Sequence, residues 1–367
     1  MQFPTIFSPA LVILPLAGWV LLILPIAGPA LAAHDGPSSW TAEIWSKPFD
    51  YSSDTREVTF ERTAKASKHW NLCISYPHLK DAYWLNVNYG MVEEANHLGV
   101  NFTLVEAGGY PNVERQREQI VECTAQNIDA LIIGTVSFED LTPEILEISK
   151  RMPVLATVND ISDAGITAKA GVSWTEMGAV TGAFLAERHP AGSPAVKVAW
   201  FPGPKGAGWV KFINEGFRSG IANSSVEIVV TKWGDTGKEI QRTLVQEALE
   251  SNQKLDYIVG NALMAEAAIS ALRYSETNQF AGIVSTYLTP AVYRGIRRGR
   301  ILAAPSDAPV LQGRMSISQA VQILEGRPFE KHVGPKIRMI TEQNYSSEVI
   351  DESLAPSTFL PSFVVKH

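Results

Sequence analysis

The sequence predicts an α/β protein with two doubly wound lobes, each built on a parallel sheet. Short apolar runs alternate with longer amphipathic stretches from Trp70 almost to the end of the chain, and this alternation is typical of repeated βα units. The apolar runs are continuous in Val, Ile, Leu and Ala, which indicates strands that helices cover on both faces. A length of 367 residues with 46% hydrophobic residues provides core for two lobes rather than for one small domain.

The individual elements follow from the distinction between short apolar runs and longer amphipathic stretches. Strands are predicted, in chain order, at 70–76, 100–107, 130–136, 154–160, 195–203, 226–234, 257–262, 281–287 and 301–305. Helices are predicted between them at 82–98, 112–127, 142–151, 175–189, 208–222, 237–251, 263–274, 289–299 and 312–325. The pattern restarts after Trp174, so the break between the lobes is expected there. Residues 34–66 are expected to form a polar arm that wraps the first lobe, and residues 351–367 show no clear pattern.

The first 33 residues differ from the rest because they contain no Lys, Arg, Asp or Glu. Leu11 to Ala27 is almost wholly apolar, and the small residues at 30 and 32 match a signal-peptidase site. Residues 1–33 are therefore predicted to be a secretory signal peptide. An uncleaved membrane anchor is the alternative, since long apolar segments can span a bilayer. Both interpretations place residues 34–367 outside the cytoplasmic membrane, in the periplasm.

The two cysteines fall on neighbouring predicted elements. Cys73 lies in the first strand and Cys123 on the helix at 112–127. An even count in an exported chain favours a disulfide, and a helix packed on the sheet can bring the two within bonding distance. Two buried free thiols are the alternative.

Composition and motifs argue against several classes of function. The net charge is −7 and no basic block occurs, so a nucleic-acid partner is not expected. The seven histidines lack ligand spacing, so no metal site is predicted. No G-x-S-x-G nucleophile motif occurs, and neither a catalytic residue nor a cofactor is predicted. The glycine-rich stretch at 201–209 (FPGPKGAGW) can hold an anion at a helix start, but it matches no nucleotide motif and is interpreted as a tight turn at the rim of a cleft.

Aromatic and acidic residues are concentrated where the predicted strands end. Ligands of open parallel sheets bind at these carboxyl ends, and between two facing lobes the ends line a cleft. For any single residue, core packing or a place in the hinge is an ordinary role, but a pocket explains the group better. The candidate ligand-binding residues are Asp81, Tyr83, Trp84, Tyr110, Trp174, Tyr287 and Asp307.

The residue types in this set favour a small methylated amine as ligand. Several aromatic rings around one cavity attract an alkylammonium group, with about 0.5–2 kcal/mol for each desolvated contact. A sugar can also stack on such rings, but sugar sites usually need planar polar side chains that bracket several hydroxyls. The loops at the strand ends are poor in Arg, and Asn159 and Asp160 are their main polar exceptions.

Several long segments resemble the type I periplasmic binding proteins, the ribose-binding and LacI-like superfamily, over about residues 68–350. These segments are 70–95 (WNLCISYPHLKDAYWLNVNYGMVEEA), 105–123, 171–178, 239–250, 287–301 and 306–313. Within the superfamily the chain is most similar to periplasmic sensors of trimethylamine N-oxide that work with a membrane histidine kinase. A LacI-type repressor is excluded by the export signal, the acidic balance and the missing helix-turn-helix.

The resemblance implies an aromatic box around a trimethylammonium group, with Asp81 beside it, whereas Asp307 is added only from its place at a strand end. It also implies the disulfide between Cys73 and Cys123, and a partner, the periplasmic sensor domain of a histidine kinase. The residues of the implied box are Tyr83, Trp84, Tyr110, Trp174 and Tyr287.

By the same resemblance, a three-stranded hinge joins the lobes near Trp174, Tyr287 and Asp307. The first lobe is then expected to hold 67–173 plus 288–307, and the second 174–287 plus 308–350. The alternative function is the substrate-binding component of an ABC importer for a sugar or a quaternary amine.

Overall fold

The computed structural model describes residues 37–251, 254–272 and 282–367. It confirms the predicted α/β class with two mainly parallel sheets. The predicted signal peptide at 1–33 lies outside the described residues.

The strands, in chain order, are β1 (Ser39–Trp45), β2 (Thr55–Glu61), β3 (Asn71–Tyr76), β4 (Asn101–Glu106), β5 (Ala130–Ile133), β6 (Val154–Thr157), β7 (Ala168–Ala170), β8 (Val196–Gly203), β9 (Val226–Trp233), β10 (Tyr257–Gly260), β11 (Gly282–Ser285), β12 (Ala303–Ser306), β13 (His332–Gly334), β14 (Arg338–Thr341) and β15 (Val364–Val365). The helices are α1 (Ala82–Leu98), α2 (Val113–Thr124), α3 (Thr142–Ser149), α4 (Trp174–Arg188), α5 (Gly208–Ile221), α6 (Lys238–Leu249), α7 (Ala262–Leu272), α8 (Pro290–Arg297), α9 (Pro309–Leu324) and α10 (Ser347–Ser353).

Each sheet forms the centre of one lobe. The sheet of the first lobe has the order β15-β4-β3-β5-β6-β7-β13-β1-β2, and that of the second has the order β14-β12-β11-β10-β8-β9. The strands are parallel from β4 to β13 in the first sheet and from β12 to β9 in the second, and antiparallel strands complete the edges. Strands β5 and β6 are buried throughout, as their continuous apolar sequences predict.

Residues 34–66 were expected to form a polar arm that wraps the first lobe, and the structure shows instead that they extend its sheet. This segment contains the hairpin β1–β2, which extends the first sheet through pairing of β1 with β13. Trp40, Ala42 and Ile44 are buried at every second position, which is the period of a half-buried strand. The C-terminal tail also has regular structure, because β15 pairs with β4 and covers the opposite edge of that sheet.

The division of the chain between the lobes also differs from the expectation. Strand β12 pairs with β11 in the second sheet, so residues 288–307 belong to the second lobe. Helix α9 packs against α1, β5 and β6, and β13 pairs with β7, so much of 308–350 belongs to the first lobe. The chain changes sheets after β7, after β12, after β13 and after β14, but not at Tyr287, since β11 and β12 are neighbours.

Helices α4 and α5 of the second lobe cross at glycines. A Cβ atom at Gly216 would lie 1.8 Å from the Thr175 carbonyl oxygen, and one at Gly178 would lie 2.2 Å from that of Ile213. Only glycine permits this approach of two helix backbones. Trp174 is the first residue of α4 and Trp209 the second of α5, so the crossing holds the two indoles side by side.

The predicted disulfide is confirmed. Cys73 in β3 is bonded to Cys123 in α2, with a Cα–Cα distance of 6.2 Å. The bond therefore links helix α2 to strand β3 of the first sheet.

Candidate ligand-binding site

A small cavity, lined by buried side chains, lies between the carboxyl ends of the two sheets. The cavity volume is about 10 Å³, which is close to the volume that a single water molecule needs. Six aromatic rings, one carboxylate and two neutral polar side chains surround it. The lining residues are Asp81, Tyr83, Trp84, Tyr110, Asn159, Trp174, Trp209, Thr236 and Tyr287.

The first lobe contributes one wall through the start of α1. Asp81 is the N-cap of this helix, and its Oδ1 accepts a hydrogen bond from the Tyr83 backbone N–H at 2.9 Å. This cap stabilises the first helical turn, where Tyr83 and Trp84 lie. The Trp84 ring packs against Tyr76 of β3 with the centroids 4.7 Å apart, so its position is fixed by the sheet.

The second lobe contributes the opposite wall through the starts of α4 and α5. Ser173 caps α4 by accepting the Glu176 backbone N–H, and the Trp174 indole Nε1 donates to the Val158 carbonyl at 3.1 Å. Val158 has a φ of +65°, which is rare for a β-branched residue and is typical of backbone held at functional sites. The ring centroids of Trp174 and Trp209 lie 5.2 Å apart.

The aromatic rings of the two lobes meet across the gap. Tyr83 of the first lobe packs edge-on against Tyr287 of the second at 5.4 Å between centroids. Tyr110, which follows β4, lies 5.9 Å from Trp209. The rings therefore form one continuous cluster, and the five aromatic residues selected from the sequence all belong to it.

The two predicted carboxylates have different positions. Asp81 lines the cavity, and its Oδ2 accepts the Tyr287 hydroxyl at 2.7 Å. Asp307 lies behind Tyr83 instead, and its Oδ2 accepts both the Tyr83 hydroxyl at 2.5 Å and the Gln312 amide at 2.7 Å. Burial raises the pKa of Asp81 to about 6 and also raises the pKa of Asp307. Asp307 therefore contacts Tyr83 and is not among the residues that line this cavity.

Three lining residues were not among the candidates from the sequence. Trp209 is the last residue of the glycine-rich stretch 201–209 that was interpreted as a turn, and its signal was an aromatic residue at the end of a loop that follows a strand. Asn159 follows β6 and was noted only as a polar exception. Thr236 has no distinguishing sequence pattern, and its role is visible only from the contact that its hydroxyl makes with His78 Nε2 at 3.2 Å.

Polar contacts close the gap between the lobes at the rim of the cavity. Lys80 Nζ donates to Asp235 Oδ2 at 2.5 Å, and this ion pair passes over Gly109, where a Cβ would lie 3.0 Å from Lys80 Nζ. His78 is buried beside the pair, and burial lowers its pKa to about 4. A neutral His78 therefore joins Thr236 across the gap. These contacts join the two lobes, so the structure shows a closed arrangement.

Within the described ranges, no three His, Cys, Asp or Glu side chains are grouped as metal ligands. In the same part of the chain, no helix combines the length and the apolar character that a membrane crossing requires.

Comparisons with known proteins agree with this architecture. A family model for the periplasmic binding protein domain matches residues 72–328. The periplasmic protein TorT of Escherichia coli K12 is 40% identical over 305 residues, which are 83% of this chain and 87% of TorT. A solved ABC-transporter solute-binding protein from Bradyrhizobium sp. BTAi1, with bound bis-tris, is 45% identical with a TM-score of 0.75, over 88% of this chain and 98% of that one. The complex of the TorS sensor domain with TorT in the presence of TMAO matches at 42% identity and a TM-score of 0.73, over 80% of this chain and 99% of the matched chain.

Proposed function

The chain belongs to the periplasmic binding protein domain family, and on this premise we propose that it is a periplasmic sensor of trimethylamine N-oxide, or of a similar small methylated amine. In this proposal the ligand binds in the aromatic cavity between the lobes. The occupied protein then signals through a complex with the periplasmic sensor domain of a TorS-like histidine kinase. The similarity to TorT, which has been solved with the TorS sensor domain, supports this assignment.

The observation that carries the proposal is the continuous cluster of buried aromatic rings around one cavity. Aromatic faces attract the diffuse positive charge of three N-methyl groups, and the Asp81 carboxylate on the same wall adds favourable potential when it is ionised. The cavity lining is poor in groups that pair with several hydroxyls, because Asn159 and Thr236 are its only uncharged non-aromatic members. A compact methylated solute therefore fits better than a monosaccharide.

Ligand entry requires movement of the lobes. The cavity has room for about one water-sized sphere, whereas trimethylamine N-oxide has five non-hydrogen atoms. The cavity walls come from both lobes, so a ligand in it contacts both at once. It shifts the protein toward the closed arrangement only by its greater affinity for that state. We propose this shift as the signal that the partner reads.

Isothermal titration calorimetry tests the ligand class. We expect heat of binding with trimethylamine N-oxide, weaker or no heat with glycine betaine and choline, and none with ribose. Replacing Trp84 or Trp174 by Ala should abolish binding while the circular dichroism spectrum stays unchanged. Ribose binding without any response to the N-oxide contradicts the proposal.

Copurification with the periplasmic domain of a membrane histidine kinase tests the partner. We expect a complex whose affinity depends on the ligand, because the lobe arrangement changes when the cavity is occupied. We also propose that no chemistry occurs, so proton NMR of the ligand should show the same methyl resonance after prolonged incubation with the protein. Conversion of the ligand would identify an enzyme instead.

A transport role is the second candidate, and one observation favours it. The Bradyrhizobium structure at 45% identity is described as an ABC-transporter solute-binding protein and holds bis-tris, itself a tertiary amine. If this role applies, the protein should bind an ABC permease rather than a kinase domain. Genes for a permease and an ATPase beside its own would support uptake, and a histidine kinase gene would support signalling.

A further inference from the structure

Most hydrogen-bond donors on the cavity wall are already used within the protein. The Tyr287 hydroxyl donates to Asp81 at 2.7 Å and the Tyr83 hydroxyl to Asp307 at 2.5 Å. The Trp174 indole donates to the Val158 carbonyl at 3.1 Å. These groups hold the wall in place and are not free to bind a ligand without breaking an internal bond.

The Trp209 indole N–H differs from these three donors. The Trp209 side chain is 3% exposed, and its Nε1 has no hydrogen-bond partner among residues 37–251, 254–272 and 282–367. A buried N–H without an acceptor is costly, and such groups are rare in native proteins. Because Trp209 lines the cavity, a ligand oxygen there would remove this cost.

The Tyr110 hydroxyl is the second available donor. Asn159 Nδ2 donates to the Tyr110 oxygen at 3.2 Å, and its amide orientation is fixed because the same Nδ2 donates to the Thr135 carbonyl at 2.7 Å. Burial raises the pKa of Tyr110, while the hydrogen bond from Asn159 opposes this rise. Since Asn159 donates to the Tyr110 oxygen, the hydroxyl hydrogen is left to point elsewhere.

The side chains of Tyr110 and Trp209 line the same cavity from opposite lobes. Tyr110 follows β4 of the first lobe, Trp209 begins α5 of the second, and their ring centroids lie 5.9 Å apart. We propose that the Trp209 indole N–H and the Tyr110 hydroxyl together bind the oxygen of an N-oxide, one donor from each lobe, and thereby select N-oxides over methylated ammonium ions of the same size. This inference rests on the proposed function, and it names the groups that set its specificity.

The selection follows from comparing trimethylamine N-oxide with tetramethylammonium. Both present methyl groups to the aromatic rings, but the ammonium ion has a fourth methyl where the N-oxide has a strong acceptor. With tetramethylammonium bound, both donors stay buried and unpaired. Because buried unpaired donors are costly, such a site strongly rejects an analogue that lacks the hydrogen-bonding group. An oxygen held from both lobes also binds only when the lobes are closed.

Calorimetry of Trp209→Phe and Tyr110→Phe with both ligands tests the proposal. Each change removes one donor and keeps an aromatic ring. We expect the ratio of N-oxide affinity to tetramethylammonium affinity to fall about tenfold or more in each variant, as for loss of a hydrogen bond to a charged acceptor. Trp174→Phe is the matched control, because its N–H is bound to the Val158 carbonyl, and it should weaken both ligands by a similar factor.

A spectroscopic readout separates hydrogen bonding from packing. In protein with ¹⁵N-labelled tryptophan, the indole resonance that disappears in Trp209→Phe should shift strongly with trimethylamine N-oxide and little with tetramethylammonium. Thermal unfolding of each ligand-free variant checks that the fold is kept. The proposal is overturned if the variants keep the wild-type ratio, whether by retaining affinity for both ligands or by losing it equally. If the wild-type protein binds neither methylated ligand, the proposed function itself fails and this inference fails with it.

Discussion

Asp81 has two structural roles at the level of a single residue. One carboxylate oxygen caps α1 and the other accepts the Tyr287 hydroxyl from the second lobe. Burial raises the pKa of this carboxyl to about 6, because its effect is larger than that of the two hydrogen bonds, which lower the pKa. The residue that positions the aromatic wall is therefore also a group that gains a proton in mildly acidic solution.

This shift predicts how the stability of the protein depends on pH. The folded-state pKa of about 6 lies above the ordinary value of 3.8, so the folded protein holds a proton that the unfolded chain has already lost. The stabilisation is fully present below the ordinary value and is lost as the pH rises through about 6. We expect the free energy of unfolding of wild type, relative to Asp81→Asn, to fall by about 3 kcal/mol over this window. Urea unfolding measured at several pH values checks it, and parallel curves for the two proteins would contradict it.

The candidate site shows what residue patterns can and cannot predict. The box residues Tyr83 and Trp84 were identifiable because an Asp and two aromatic residues come soon after the first predicted strand. Trp209 was missed because its glycine-rich loop suggested a turn, and a turn does not reveal which side chain follows it into the cleft. Asp307 lies at a strand end as predicted, but its side chain is turned toward Tyr83 and Gln312. Position along a strand therefore locates a residue but does not fix its direction.

At the level of elements, the crossing of α4 and α5 supports one wall of the site. Gly216→Ala would place a Cβ 1.8 Å from the Thr175 carbonyl oxygen, so the helices must separate. In an open helix the same change would stabilise the protein by about 1 kcal/mol. We expect instead a loss of about 1–3 kcal/mol, measured by thermal unfolding, together with weaker ligand binding because Trp174 and Trp209 begin these helices.

Ser219→Ala is the control for this prediction, because Ser219 lies on the exposed face of α5. Alanine there favours the helix and meets no neighbouring backbone, so stability should stay the same or rise slightly. Equal melting temperatures for Gly216→Ala and Ser219→Ala would show that the crossing tolerates a side chain.

The disulfide is a second element-level feature, since it links β3 to α2 across 50 residues. Closing a loop of this length lowers the entropy of the unfolded chain. In the chain-entropy model this raises the free energy of unfolding by about 4 kcal/mol. The double variant Cys73→Ala, Cys123→Ala should therefore unfold at a clearly lower temperature, by calorimetry, than the oxidised wild type. Adding a reductant should lower the unfolding temperature of wild type and leave the double variant unchanged. A wild type that reductant does not affect, once thiol titration shows the bond reduced, would contradict this role.

The elements that the sequence predicted are those with continuous apolar runs or clear amphipathic stretches. The hairpin β1–β2 was missed because its alternation is diluted by charged residues, as in TREVTFE at β2. Strand β13 has three residues and β15 has two, which is too short for any periodicity. Such edge strands are defined by their pairing partners, and that information is not local in the sequence.

At the level of the whole molecule, the pairing of strands also determines which residues belong to each lobe. The sequence indicated that 301–305 forms a strand, but not that β12 joins β11 rather than a strand of the first sheet. The residues that close the cleft, in contrast, come from the strand ends that the sequence indicated. Lys80 and His78 follow β3, and Asp235 and Thr236 follow β9. Closure therefore brings together segments more than 150 residues apart.

The ion pair between Lys80 and Asp235 predicts how closure can be weakened without touching the ligand. Neither residue lines the cavity, and the pair is partly exposed, so it contributes modestly. Lys80→Glu replaces attraction by repulsion between two carboxylates across the gap. We expect the population of open protein to rise and ligand affinity to fall about fivefold to tenfold. Small-angle X-ray scattering should show a larger radius of gyration, and calorimetry should show the weaker affinity.

The exchanged pair Lys80→Asp with Asp235→Lys is the matched control, because it restores opposite charges at the same two positions. It should recover most of the affinity, and the difference between the single and double variants should shrink as salt screens the charges. If the exchanged pair binds as weakly as Lys80→Glu at every salt concentration, the side chains matter for their shape and not for their charge. If Lys80→Glu binds as wild type does, this contact does not hold the lobes together, and the Asp81–Tyr287 and His78–Thr236 bonds suffice for closure.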